Sequence, residues 1–203
     1  MSPSVSSEPI IPPADEQRRR GRRVALLILA VCAAPTVAAW FAFFVWQPQS
    51  RTNYGELIGP YPLSNPEMRR VDSVPFLLSQ LRGKWVLLQV DSGACGEACR
   101  RKLLYMRQAR LALGKDAERI ERVWVLDDGE DPAPELLREH EGIKVVRAAR
   151  APFLAELPGS GSPLGYIYVV DPLGTLMLRF PGEPDTRRML KDLVRLLGAS
   201  RIG

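Results

Sequence analysis

Two residue types that build many functional sites are scarce in this chain, which has three cysteines and one histidine among 203 residues. Three cysteines are too few for a secreted domain held together by several disulfides. A single histidine excludes a metal site built from several imidazoles. Any catalytic triad that needs an imidazole would have to use His140. Cysteine chemistry is therefore confined to Cys32, Cys95 and Cys99.

A strong excess of positive charge is also missing. Lys and Arg number 28 against 23 Asp and Glu, which gives a net charge of +5, and residues 1–23 alone carry five arginines against three acids. A nucleic-acid-binding domain needs a clustered basic stripe, so no nucleic-acid partner is expected. The remaining composition, 46% hydrophobic and 25% charged, is typical of a globular domain.

Residues 24–46 form an uncharged run of 23 residues in which Pro35 and Thr36 are the only ones outside the apolar set. As a helix it would be about 34 Å long, enough to cross a hydrocarbon core of about 30 Å. Five arginines precede it within residues 18–23, and the first arginine after it is Arg51. The positive-inside rule predicts a cytoplasmic N-terminus and a C-terminal domain on the other side of the membrane. We expect a single-pass protein of the bacterial inner membrane whose C-terminal domain is periplasmic.

The same segment allows a second interpretation, a cleaved signal peptide with its cleavage site at residues 37–39. In the preferred organisation, residues 1–23 are a disordered basic cytoplasmic tail, since residues 1–17 hold four prolines and four serines. Residues 24–46 are the transmembrane helix, residues 47–66 a tether rich in Gly and Pro, and residues 67–203 the exported domain.

Hydrophobic periodicity in the exported domain alternates between strand and helix types. Buried strands are predicted at residues 84–90, 123–126 and 166–170, with a hairpin partner at 175–180 after a type I turn. Amphipathic helices are predicted at residues 99–113, 134–140 and 185–197. This order predicts an α/β domain with a mixed sheet flanked by helices.

The most informative motif is CGEAC, in which Cys95 and Cys99 lie between a buried strand and the start of a helix. Unpaired amides and the helix dipole favour a thiolate at that place. Two adjacent thiolates can cycle between dithiol and disulfide, or they can hold Cu(I). A static disulfide that pins the strand to the helix remains the alternative.

Over residues 55–197 the order of motifs resembles the Sco/SenC family, the thioredoxin-fold assembly factors of cytochrome c oxidase. The motifs that carry this resemblance are LRGKWVLL, CGEAC, VWVLD and YVVDPLG. The resemblance implies a thioredoxin-like fold behind a membrane anchor. It also implies copper as the cofactor, bound by Cys95 and Cys99 with a distant histidine, and cytochrome c oxidase or its assembly factors as partner.

The family's histidine has no counterpart here, because counting back eleven residues from Gly174 leads to Pro163. We therefore expect the cysteine pair to carry thiol–disulfide exchange, Cu(I) handling or both, with an altered copper site. A general exported thiol–disulfide oxidoreductase or peroxidase, and a non-catalytic assembly protein with a structural disulfide, remain alternatives. Whether the protein is an enzyme or a metallochaperone stays open.

Three further features have a structural and a functional interpretation. The basic residues of the helix that follows the motif form either a solvated face or a docking surface for an acidic partner: Arg100, Arg101, Lys102, Arg107 and Arg110. Asp127 and Asp128 are either a solvated turn or a proton relay. His140, at the end of a short helix, is expected to face solvent, and it would be a copper ligand only if the fold brought it to the cysteines.

Overall fold

The structure is a computed structural model that describes residues 14–44, 53–148, 152–159, 162–200 and 202. The chain divides into two compact units, residues 1–50 and residues 51–203. The described residues do not include residues 1–13, which make up most of the predicted tail. They also do not include residues 45–52, which lie on either side of the predicted boundary between helix and tether.

The first unit contains one long helix, α1, over Ala14–Phe44. Its section Arg18–Ala42 is 25 residues long, has none of its residues buried, and is the one helix in the described part of the chain that is long and apolar enough to span a membrane. The N-terminal part of α1, residues 14–23, falls in the segment predicted to be disordered. This corrects the prediction, since the composition signal comes mainly from the prolines and serines that precede the helix.

In its described residues the second unit contains one sheet of eight strands, and this sheet is mixed, as the alternating periodicity predicts. The strands are β1 Glu56–Pro62, β2 Met68–Arg70, β3 Pro75–Phe76, β4 Trp85–Asp91, β5 Ile120–Leu126, β6 Lys144–Arg147, β7 Tyr166–Val170 and β8 Thr175–Pro181. Their order across the sheet is β1-β8-β7-β4-β5-β6-β2-β3. The three strands β4, β5 and β6 are parallel, and every other neighbouring pair is antiparallel.

Within the described ranges four α-helices accompany the sheet: α2 Glu97–Ala112, α3 Pro134–Glu139, α4 Pro152–Glu156 and α5 Thr186–Ala199. Alternate residues of β4 enter different cores, because successive strand side chains point to opposite faces. Val86, Leu88 and Val90 join the core that contains Phe153 of α4. Leu87 joins the opposite core, with residues of α2 and α5. Helices therefore cover both faces of the sheet.

The strand β1 lies inside the segment 47–66 that was predicted to be a tether, and it corrects that boundary. It pairs with β8 at the edge of the sheet, and its side chains are exposed or half-buried. An edge strand of this kind needs no alternation of apolar and polar residues. Gly59, Pro60 and Pro62 give it instead the composition of a linker, which is tolerated at an edge.

Candidate functional site

The two cysteines of the CGEAC motif meet between β4 and α2. The strand ends at Asp91 and the helix begins at Glu97, so that Cys95 lies in the connecting loop and Cys99 in the first helical turn. Their Cα atoms are 5.1 Å apart and their sulfurs are joined in a disulfide. The structure thus brings together the two residues to which sequence reasoning assigned the chemistry.

The loop holds Cys95 in an unusual backbone conformation. Its φ of +43° lies in the left-handed region, which residues other than glycine rarely adopt. The amide of Cys95 donates to the carbonyl of Ser92 at 3.1 Å, and its carbonyl accepts from Nε of Arg100 at 3.2 Å. Such strained residues persist only where surrounding contacts hold them, and they are concentrated at functional sites.

Both cysteines are buried, each with 1% of its surface exposed. They pack in a cluster with Leu103, Trp124 and other apolar side chains of the sheet and of α3. Three small residues around them, Ala94, Gly96 and Ala98, are exposed, and so is Glu97. An incoming thiol therefore reaches a sulfur only when this loop of small residues moves.

A buried amide side chain contacts the disulfide from the sheet. Gln89 of β4 is 0% exposed, and its Nε2 donates to Sγ of Cys99 at 3.6 Å. Its Oε1 has no hydrogen-bond partner, and neither has Nε1 of Trp124, the residue opposite Gln89 on β5. Two polar groups next to the sulfurs are therefore unpaired in the oxidised protein.

A buried lysine lies one helical turn beyond Cys99. Lys102 is 2% exposed, and its Nζ forms an ion pair with Oδ2 of Asp91 at 2.7 Å. The same Nζ donates to the carbonyls of Val90, at 3.1 Å, and of Leu164. Lys102 thus ties the end of β4 to the loop before β7, and it belongs neither to a solvated face nor to a docking surface.

The other basic residues of α2 differ in their surroundings, since Arg100 and Arg107 are exposed and Arg101 and Arg110 are half-buried. Arg101 pairs with Glu97 and with Glu183, the latter at 2.7 Å. Arg110 donates from Nε to the carbonyl of Ile120 on β5 at 2.9 Å. The positive charge that the sequence places on one helix is therefore divided among separate contacts.

Two aspartates follow β5: the amide of Asp127 donates to the carbonyl of Asp91 at the end of β4, and Asp128 contacts the loop that carries Cys95. Burial, together with the like charges of Asp128 and Asp91, raises the pKa of Asp127. Burial raises the pKa of Asp128, but several hydrogen bonds, among them those from the amides of Gly93 and Glu130, together outweigh it and lower the pKa. Its Oδ1 accepts from the Gly93 amide at 3.0 Å. Asp128 therefore fixes the loop and is not simply a solvated residue.

His140 does not face solvent as the sequence analysis expects, because it is 2% exposed at the C-terminus of α3. Burial, together with the nearby charges of Arg122 and Arg107, lowers its pKa. Within the described ranges no group of three or more Cys, His, Asp and Glu side chains is arranged to hold a metal ion. The sulfur pair consequently has no third ligand from His140.

Sequence reasoning missed Gln89 and the Asp91–Lys102 pair. A signal for both was present, since Gln89 interrupts an otherwise apolar strand and Asp91 ends it. A polar side chain in a buried run needs a partner within the core. The identity of that partner depends on how α2 packs on the sheet, which periodicity does not reveal.

Comparison with known proteins agrees with this architecture. A family model described as "Transmembrane-like, thioredoxin-like, C-terminal domain" matches residues 85–200, more than half of the chain. No curated protein matches the chain by sequence. The thioredoxin-like fold expected from the sequence is therefore confirmed, with the candidate membrane helix α1 before it.

Solved structures of the Sco family have the same fold. Yeast Sco1 with copper bound is 14% identical, with a TM-score of 0.60 over 70% of this chain and 96% of that one. Apo Sco1 from Thermus thermophilus is 24% identical, with a TM-score of 0.57 over 73% and 99%. BsSco, described as having a disulfide switch and as a member of the Sco family of cytochrome c oxidase assembly proteins, is 14% identical, with a TM-score of 0.53 over 71% and 96%.

Proposed function

Because the chain belongs to the family of transmembrane-like, thioredoxin-like C-terminal domains, we propose that it is a membrane-anchored assembly factor for cytochrome c oxidase. In this proposal Cys95 and Cys99 carry the chemistry by thiol–disulfide exchange. The observation that carries it is the disulfide between these residues at the start of α2, in a domain with the fold of the Sco proteins. The role in oxidase assembly is taken from the description of BsSco.

The reaction proposed for the pair is a two-step exchange with a dithiol. A thiolate of the partner attacks Sγ of Cys95, the Cys95–Cys99 bond breaks, and its electron pair leaves on Cys99. The second thiolate of the partner then attacks the mixed disulfide and releases Cys95 as a thiolate. The partner is oxidised to a disulfide, and this protein is left with two reduced cysteines.

Copper enters this proposal as cargo held by the reduced pair. Yeast Sco1 is described with copper bound, and two cysteine thiolates are ligands suited to Cu(I). No described residue supplies a third Cys, His, Asp or Glu ligand to the pair, so we expect Cu(I) to be held by two sulfurs and Cu(II) to bind weakly. The partner in either role would be an oxidase subunit or one of its assembly factors.

The proposed location is the bacterial inner membrane, crossed once by α1. The arginines before the apolar section of α1 support a cytoplasmic N-terminus. The C-terminal domain would then lie in the periplasm, which is oxidising enough for disulfides to persist. Thiol chemistry at the proposed site therefore agrees with the proposed compartment.

The burial of both cysteines favours a second candidate function, a non-catalytic assembly protein with a structural disulfide. A bond inaccessible to other thiols would only join β4 to α2. Such bonds have reduction potentials below about −300 mV, whereas bonds that exchange lie higher, above about −250 mV. The reduction potential of the full-length protein in detergent therefore separates the two candidates.

The function is tested by replacing each cysteine with serine and measuring oxidase activity in membranes. We expect Cys95→Ser and Cys99→Ser each to reduce assembled oxidase at least tenfold, while Cys32→Ser, in the membrane helix, changes it less than twofold. A potential below about −300 mV together with normal oxidase in both variants would favour the structural candidate. Metal analysis of the reduced protein, compared with the variant in which both cysteines are serine, tests whether the cysteine pair holds copper.

A further inference from the structure

Gln89 is the polar group in direct contact with the disulfide. It lies on the face of β4 that α2 covers, and it is as buried as its apolar neighbours. Its Nε2 donates to Sγ of Cys99, and its Oε1 has no partner. A strand that needed only packing at this position would carry a Leu or a Val, as it does at its neighbouring positions.

The hydrogen bonding of this amide differs between the two redox states of Cys99. A disulfide sulfur is a weak acceptor, so the contact at 3.6 Å contributes little in the oxidised protein. A thiolate carries a full charge and accepts the same N–H as a charge-assisted hydrogen bond, which is much stronger. A neutral thiol donates instead, and Oε1 of Gln89 is the acceptor available to it. The side chain of Gln89 therefore has a better hydrogen-bond partner in the thiolate or the thiol of Cys99 than in the disulfide.

We propose that Gln89 is a catalytic residue that stabilises the thiolate leaving on Cys99 when the disulfide is reduced. This inference rests on the proposed function and adds a residue that does not belong to the cysteine motif. The exchange begins when a dithiol partner attacks Cys95; the electron pair of the broken bond moves to Sγ of Cys99. There the side-chain amide of Gln89 donates a hydrogen bond to the new thiolate, and the positive end of the α2 dipole also stabilises its charge. A stabilised leaving thiolate speeds the step and shifts the equilibrium toward the dithiol.

The test is the variant Gln89→Met, which keeps the volume and removes both the donor and the acceptor. Its reduction potential is measured on the full-length protein in detergent, by equilibration with glutathione and alkylation of the free thiols. We expect the redox equilibrium to move at least tenfold toward the disulfide, a fall in potential of about 30 mV. The rate of reduction by a dithiol should fall in the same direction.

Two further variants separate chemistry from packing. Gln89→Leu has a different shape from Gln89→Met but likewise lacks a donor and an acceptor, so its potential should fall as far as that of Gln89→Met. Gln108→Met, an exposed position on α2, should leave the potential unchanged. A Gln89→Met protein with the wild-type potential and reduction rate overturns the inference.

The inference and the proposed function fail in different ways. If the wild-type protein exchanges with glutathione and Gln89→Met does not differ from it, the role of Gln89 is refuted and the proposed function is unaffected. If Gln89→Met shifts the potential but both serine variants assemble oxidase normally, the function in assembly is refuted and the role of Gln89 in the exchange is retained.

Discussion

Lys102 shows that the structural role of a charged side chain depends on its surroundings. In the sequence it is one of several basic residues on a helix, whereas in the structure its ammonium group is buried against Asp91 and two backbone carbonyls. A buried ion pair stabilises a fold only modestly relative to apolar packing, but losing one partner is costly because the other charge remains. The pair also joins two segments beside the cysteines.

We predict that Lys102→Met lowers the free energy of unfolding by about 3 kcal/mol, because it leaves the half-buried carboxylate of Asp91 without a cation. The matched control is Lys84→Met, which breaks an exposed pair with Glu121 and should cost less than about 1 kcal/mol. Urea unfolding of the full-length protein in detergent gives both values. Equal losses in the two variants would contradict the assignment of Lys102 to the core.

His140 should make stability depend on pH. Burial and neighbouring arginines lower its pKa below the ordinary 6.5, so in mildly acidic solution the unfolded chain binds a proton there that the folded chain does not. The contribution of His140 to the free energy of unfolding is therefore fully present above pH 6.5. As pH falls from 6.5 toward the pKa of His140 in the folded protein, this contribution decreases by at most about 1.4 kcal/mol per pH unit.

The measurement for His140 is thermal unfolding between pH 7.5 and 5.5. The wild-type protein should lose stability across this range more steeply than His140→Gln, which has no group that titrates there. Since His140 is the single histidine in the chain, the difference between the two slopes reports on it alone. Identical slopes would show that its imidazole titrates as an exposed one does.

At the scale of elements, the position of the cysteine loop depends on its close contact with the turn after β5. A Cβ at Gly93 would lie 2.0 Å from the carbonyl oxygen of Glu130. The Gly93 amide also donates to Asp128. The loop can approach this turn only where the chain lacks a side chain, and this approach positions Cys95 over the end of the sheet.

We predict that Gly93→Ala lowers the free energy of unfolding by about 1–3 kcal/mol, because the two backbones must separate to admit the methyl group. Gly96→Ala is the matched control, three residues along the same loop, where an added Cβ meets nothing within 4 Å. It should cost less than about 1 kcal/mol as an N-cap substitution. Denaturant unfolding compares them, and a Gly96→Ala loss as large as that of Gly93→Ala would refute the argument.

At the scale of the whole molecule, the chain combines an apolar helix with a separate folded unit. The apolar residues of α1 between Arg18 and Ala42 are exposed, which is unfavourable in water over such a length and favourable in a bilayer. Among the described residues, every strand and every other helix lies after residue 50, in the second unit. The helix is therefore best explained as an anchor.

We predict that alkaline phosphatase fused after residue 203 is active in cells, and that the same enzyme fused before residue 1 is inactive, because the arginines at 18–23 hold the N-terminus inside. The mass of the purified protein should correspond to the uncleaved chain, and the protein should resist carbonate extraction. A protein that lacks residues 1–39 and is released by carbonate would indicate a signal peptide instead. The reverse pattern of fusion activities would contradict the orientation.

Features that depend on the local order of residues could be predicted from the amino-acid sequence. Strands β4, β5 and β7, helices α2 and α5, the apolar run of α1 and the position of the cysteine pair between strand and helix all follow from periodicity, turn residues and length. These signals suffice because the residues that produce them are neighbours in the chain. The mixed sheet follows from the order of these elements.

The polar residues that surround the sulfurs could not be predicted in this way, because they are brought together by the packing of the domain. Gln89 lies against Cys99, Lys102 lies against Asp91, and His140 is buried away from the cysteine pair because α2 and α3 pack on the sheet in one register. The edge strand β1 likewise depends on its pairing with β8. Contacts between distant segments arise from packing and strand pairing, whose energies are summed over the whole domain and leave no local pattern in the sequence.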